Sequence, residues 1–231
     1  MSGLEKYGGL ARARHILILF ADPSMTPMPP WNLTPPMSVV ADLSRPRAFS
    51  PQAVVMVGAY KPCAEFIKLA RMIKLDAVFV NISFVGSEPL AEELRRDGEG
   101  VVITQVVPLP NEVKIPLVAR YQRALKSVNP TAKPGFVSLE GYIAGRLVVE
   151  ALNHLNKSVT RTGLLATIND VGVFDLDGVR LSYGPGDNQG MDDVYFTVIQ
   201  SDGSFKAVDR LNSADLRWQV DSLKRRLEST K

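Results

Sequence analysis

Cysteine and histidine are scarce in this chain: its 231 residues include one cysteine, Cys63, and two histidines, His15 and His154. One thiol excludes an internal disulfide and a multi-cysteine metal site, while leaving the redox compartment open. His154 falls near the end of an expected helix, where its cationic form suits the dipole better than catalysis. Cys63 lies in the first turn of another helix with no base partner in view, which favours a packed, inert thiol. The motifs G-x-S-x-G, Gly-Lys-Ser/Thr in a phosphate loop, H-E-x-x-H and S-x-x-K are all absent. The residues therefore point to no enzyme, no metal and no cofactor.

No sign of charge dominates either. The 27 basic and 24 acidic residues are interspersed, for a net charge of +3 and a pI near 9.0, which argues against nucleic acid as a partner. No apolar run approaches the roughly 18 residues of a membrane span. Lys6, Arg12 and Arg14 precede the run Ile16 to Phe20, but Asp22 and Pro23 end it early. A signal peptide needs roughly 7 to 15 apolar residues followed by a small-residue cleavage site, so a short strand or collapsed patch is the better expectation. The compartment stays open on these grounds.

What is present divides the chain in three. Eight prolines between Asp22 and Pro51 forbid most helix and central strand, so residues 1–51 are expected to be an irregular, proline-rich arm. Residues 52–211 read as strand, helix, strand, helix, the pattern of an α/β fold with a parallel sheet and right-handed crossovers. Ala53 to Val57, Ala77 to Val80 and Val101 to Val107 are the apolar strands. Cys63, Phe66, Ile67, Ala70 and Ile73 mark one helix, and Ser87 is placed to cap a second through Arg96. Leu117, Val118, Tyr121, Leu125 and Val128 mark a third helix, and a long one runs from about Glu140 to Leu155. Its Gly141, Ala144 and Gly145 suit close packing against a neighbour. Thr160 is a candidate cap for a short helix to Asn169, after which Asp177-Gly178 and Asp202-Gly203 signal hairpins. Residues 212–231 are expected to form a C-terminal amphipathic helix with Leu216, Val220, Leu223 and Leu227 on one seam.

The polar loops gather at strand ends. In Pro51-Gln-Ala-Val-Val-Met-Val-Gly-Ala-Tyr-Lys-Pro62 a buried strand runs into Gly58, Ala59, Tyr60 and Lys61, and Pro62 is placed to open a helix. Ligands of open α/β sheets sit at such carboxyl ends. Asn81, Ser83 and Phe84 end the second strand, and Gln105 lies late in the third. Hydroxyls, an aromatic wall and a backbone-rich loop suit a small zwitterion or carboxylate.

At these residues the chain resembles the type I periplasmic binding proteins, specifically the branched-chain amino-acid (leucine/isoleucine/valine) receptors that feed ABC transporters. The resemblance rests on residues 54–68, on Asn-Ile-Ser-Phe-Val-Gly-Ser (81–87), on 100–108 and on Gly-Phe-Val-Ser-Leu-Glu-Gly-Tyr-Ile-Ala-Gly-Arg (135–146), in that order. It covers about residues 52–211. It implies two α/β lobes closing on a solute, a periplasmic location, an ABC permease as partner and no catalysis. Because residues 1–50 are few and proline-rich, the first lobe is expected to be largely missing. The resemblance also assigns the Gly-x-Tyr ligand contact to Tyr60, beside Ala59 and Lys61. In the next loop Ser83, beside Phe84, stands where the family pattern has a carboxylate for the ligand's amino group. The alternative function is a ligand-sensing domain of a signalling protein, with the C-terminal helix coupling the signal.

Overall fold

The computed structural model describes the backbone of residues 16–20, and residues 51–155 and 159–208 in full. The proline-rich stretch after Phe20 and the seam Leu216 to Leu227 lie outside them. Two compact units result, one holding residues up to Gln105 and from Tyr195 onward, the other Val106–Val194.

The first unit is built on a six-stranded sheet of β1 (Ile16–Phe20), β2 (Ala53–Val57), β3 (Val78–Asn81), β4 (Val102–Gln105), β7 (Tyr195–Ile199) and β8 (Phe205–Val208), in that spatial order. Strands β1 to β4 run parallel, β2 to β4 as the apolar runs predict, and β7 and β8 close the edge antiparallel. The run Ile16 to Phe20, inside the expected irregular arm, is a strand paired along its whole length with β2.

Side chains alternate across a strand, and both faces here are apolar. Val54, Met56, Phe79, Ile103 and Ile199 pack into one cluster with α1 (Tyr60–Met72) and α2 (Ser87–Leu94), while Val80, Val102, Phe196 and Val198 form a second cluster. Cys63, Ala64, Phe66, Ile67 and Ala70 of α1 are all buried, a stripe at helical spacing, and Phe66 meets Phe79 edge to face at 6.3 Å. Each large apolar side chain withdrawn from water in this way stabilises the fold by about 1.5–3 kcal/mol.

Ser87 does not cap α2. Gly86 holds that position at φ 80°, and the Ser87 hydroxyl accepts instead from Gln105. Helix α2 also stops at Leu94, with a 3-10 turn over Arg95–Gly98 where the sequence predicts continuous helix to Arg96.

The second unit contains α3 (Pro116–Val128), α4 (Phe136–Asn153), α5 (Arg161–Val171) and the hairpin β5 (Val173–Leu176) and β6 (Val179–Ser182). The hairpin turns on Asp177 and Gly178 at φ 54° and 95°, the left-handed pair that matches strand twist. The Gly178 N–H donates to Asp175 Oδ1 at 2.9 Å. Thr160 caps α5, its Oγ1 accepting from Gly163 N–H at 3.0 Å, and His154 caps α4. Helix α4 begins earlier than predicted, at Phe136, because Tyr121 Oη accepts the Gly135 N–H at 3.0 Å and fixes its start. Gly141 and Gly145 are not buried in a tight interface: a Cβ built on either would meet nothing within 4 Å.

Candidate functional site

Strand β2 ends at Val57, and its neighbour β3 ends at Asn81 with Met56 opposite Asn81 in register. The two loops that follow therefore leave the same edge of the sheet from adjacent strands. After β2, Gly58 is buried and Ala59 exposed, and α1 starts at once with Tyr60. Tyr60 and Lys61 are thus the first two residues of α1, not part of a free loop as the sequence predicts. Pro62, the third, has no N–H to leave unpaired, as expected of proline in a first turn.

This helix start is electrostatically bare. Ala59 is its N-cap with no side-chain hydrogen bond, and no acid occupies its first turn. The N–H groups of a first turn have no partner within their own helix and carry the positive end of the dipole. Lys61 adds a cation on the same turn, with Nζ 6.0 Å from the centre of the Tyr60 ring. The Tyr60 ring itself is half-buried against the core cluster beneath it.

After β3 the chain makes a single 3-10 turn, Ser83–Val85, anchored by buried Val85. Phe84 stands 76% exposed beside it, and Ser83 is half-buried. A wall of one exposed ring, one hydroxyl and one uncapped helix start suits an apolar body with a polar or anionic head. Among the five predicted site residues, Tyr60 and Lys61 open α1 behind its cap Ala59, and Ser83 and Phe84 share the turn after the adjacent strand.

Two strand-end amides fare differently. Gln105 is 1% exposed, and its Nε2 donates to Ser87 Oγ at 2.8 Å and Thr197 Oγ1 at 3.1 Å. Thr197 in turn donates to the Ile103 carbonyl at 3.2 Å. Gln105 is therefore a core residue tying β4, β7 and α2 together, not a ligand group. Asn81 is completely buried as well, yet neither its Nδ2 nor its Oδ1 finds a partner among the described residues. The sequence marks Asn81 only as polar and strand-ending; its isolation is tertiary.

Cys63, three residues beyond Tyr60, is buried, and burial pushes its thiol up to about 11, so it is no nucleophile at neutral pH. A concavity of about 590 Å³ lies elsewhere, lined by Lys68, Glu92, Glu93, Arg95 and Arg96 around the exposed 2.6 Å Lys68–Glu93 ion pair. Its walls carry exposed surface charges that water already satisfies, which is poor material for holding a solute. No helix among the described residues is long and apolar enough to cross a membrane.

A sequence profile described as periplasmic binding protein matches residues 38–204. The chain belongs to the periplasmic binding protein family. Among solved structures, a possible leucine/isoleucine/valine-binding protein from Rhodopirellula baltica is 38% identical with a TM-score of 0.65, over 68% of this chain and 42% of that one. An extracellular ligand-binding receptor from Verminephrobacter eiseniae is 26% identical with a TM-score of 0.64, over 74% of this chain and 49% of that one. A branched-chain amino-acid ABC transporter protein from Thermus thermophilus, solved with bound valine, shares the fold at 16% identity and a TM-score of 0.68, over 94% of this chain and 65% of that one. This member of the family thus spans less than half the length of the first two relatives. No curated protein matches it. The parallel-rich α/β sheet is that of the family fold, as the resemblance implies.

Proposed function

We propose that this chain is a solute-binding protein of the ABC-transporter type, taking branched-chain amino acids or related small carboxylates and performing no catalysis. The observation that carries the reading is the juxtaposition of the uncapped α1 start, with Tyr60 and Lys61, and the Ser83–Phe84 turn on the neighbouring strand end. Both elements follow strands at the carboxyl edge of a parallel sheet, where such folds meet small molecules. Tyr60, Ser83, Phe84, Ala59 and Lys61 are the proposed ligand contacts, and the 38% identical relative, described as a possible leucine/isoleucine/valine-binding protein, supports that ligand class. By the same reading the protein works in the periplasm and delivers its solute to an ABC permease.

Isothermal titration calorimetry of the full chain with L-leucine, L-valine and 4-methylpentanoate tests the proposal. Heat of binding to at least one solute is expected, with Tyr60→Ala reducing the affinity at least tenfold. No binding by the native chain, or binding indifferent to Tyr60→Ala, overturns it.

A further inference from the structure

The Asn81 carboxamide is the feature the fold does not account for. It lies at the end of β3, on the sheet face that carries α1, because it is two residues beyond Phe79, which packs in the cluster with that helix. It is 0% exposed, with donor and acceptor both unpartnered among the described residues. Gln105, an amide of the same chemistry on the next parallel strand, is fully engaged through its nitrogen. A buried amide with neither half paired destabilises a fold, and an apolar side chain of the same branching would remove that cost. Asn81 stands opposite Met56 in register, so it ends its strand at the same edge of the sheet that the chain leaves to enter α1, whose start is an independent polar feature lacking a side-chain cap.

We propose that Asn81 is a specificity-determining residue of this site. This rests on the solute-binding reading above and adds the head group it selects. Nδ2 needs an acceptor and Oδ1 needs a donor, so the group that satisfies Asn81 presents one of each on neighbouring atoms. An α-amino acid zwitterion and a primary carboxamide both do so; a simple monocarboxylate satisfies only Nδ2. Ser83 offers no negative charge to an ammonium group, and Asn81 Oδ1 adds a second side-chain acceptor to the Ser83 hydroxyl at this strand end. The ligand reaches the amide through the turn that starts two residues further on, at Ser83. That turn is closed by two backbone bonds, Val85 N–H to Ile82 O at 2.9 Å and Gly86 N–H to Ser83 O at 3.2 Å, and it ends on Gly86 at φ 80°.

The test uses the full chain, L-leucine, 4-methylpentanamide and 4-methylpentanoate as probes, and calorimetry together with thermal unfolding. Asn81→Leu, of the same branching, should raise the melting temperature by about 2 °C or more. It should also weaken L-leucine and 4-methylpentanamide at least tenfold while changing 4-methylpentanoate less than threefold. Asn81→Asp loses the donor but adds a negative charge, so it should hold L-leucine within threefold through its ammonium group and weaken the uncharged amide at least tenfold. This second variant keeps the question open to measurement should Asn81→Leu fail to fold. Unchanged affinities in both variants, with Tyr60→Ala still abolishing binding, would overturn the role of Asn81 and leave the solute-binding reading standing. A lower melting temperature for Asn81→Leu with unchanged affinities would show a purely structural amide. No binding of any probe by the native chain overturns both.

Discussion

Helices α1 and α4 carry similar apolar residues but meet different surroundings within their own units. Helix α1, 13 residues long, buries Cys63, Ala64, Phe66, Ile67 and Ala70 against the parallel sheet. Helix α4, at 18 residues, buries Phe136, Leu139, Ile143 and Ala151 and leaves Val137, Val148, Val149 and Leu152 exposed. The first unit offers a sheet of six strands, the second a hairpin of two. An amphipathic helix draws most of its stability from the surface it covers, so the same kind of sequence yields a tight interface in one unit and an open face in the other.

That contrast can be broken at its strongest point by Phe79→Ala, which removes a 2% exposed ring between Phe66 and the sheet. A loss of about 3–5 kcal/mol is expected in chemical denaturation. A loss under 1 kcal/mol would mean the first unit is no better packed than α4.

Glycine substitutions sharpen it further. Alanine at Gly98 places a Cβ 3.1 Å from Leu94 Cβ and 3.3 Å from Ile199 Cγ2, so Gly98→Ala should destabilise by about 1–3 kcal/mol. Gly141→Ala in α4 meets nothing and should stabilise by about 0.5–1 kcal/mol through helix propensity alone. Opposite signs in the same denaturation assay confirm the contrast, and equal signs refute it.

The smallest effect concerns pH. Burial raises the Cys63 thiol to about 11 in the folded chain, above its ordinary value of 9.0. The unfolded chain therefore ionises first, and the stability held by the neutral thiol, whole below about pH 9, declines as pH rises toward 11. Iodoacetamide should label Cys63 slowly at pH 8 in the native protein and rapidly in denaturant. Equal rates would place the thiol at the surface and weaken the packing assigned to α1.

Much of this was legible in local pattern. The runs at Ala53, Ala77 and Val101 announced parallel strands because they are apolar on both faces. Asp177-Gly178 announced its hairpin because only a left-handed pair fits the turn. The predicted contacts Tyr60 and Ser83 do fall on adjacent strand ends, since a loop after each parallel strand must emerge on one edge. The misses share a cause. Ser87 looked like a cap, but its hydroxyl serves Gln105, 18 residues away. Gly141 and Gly145 looked like packing residues, yet what a small residue faces depends on the neighbours the fold brings to it.

By itself, then, the sequence determined the order of strands and helices, the turn chemistry and the family, because each follows from spacing along the chain. Only the tertiary structure decided that β7 returns to pair with β4, so that Thr197 can meet Gln105 across 92 residues. It also decided that of two strand-end amides one is satisfied and the other, Asn81, has no partner among the described residues. Hydrogen-bond satisfaction in a core is a property of which distant atoms meet, and no periodicity encodes it.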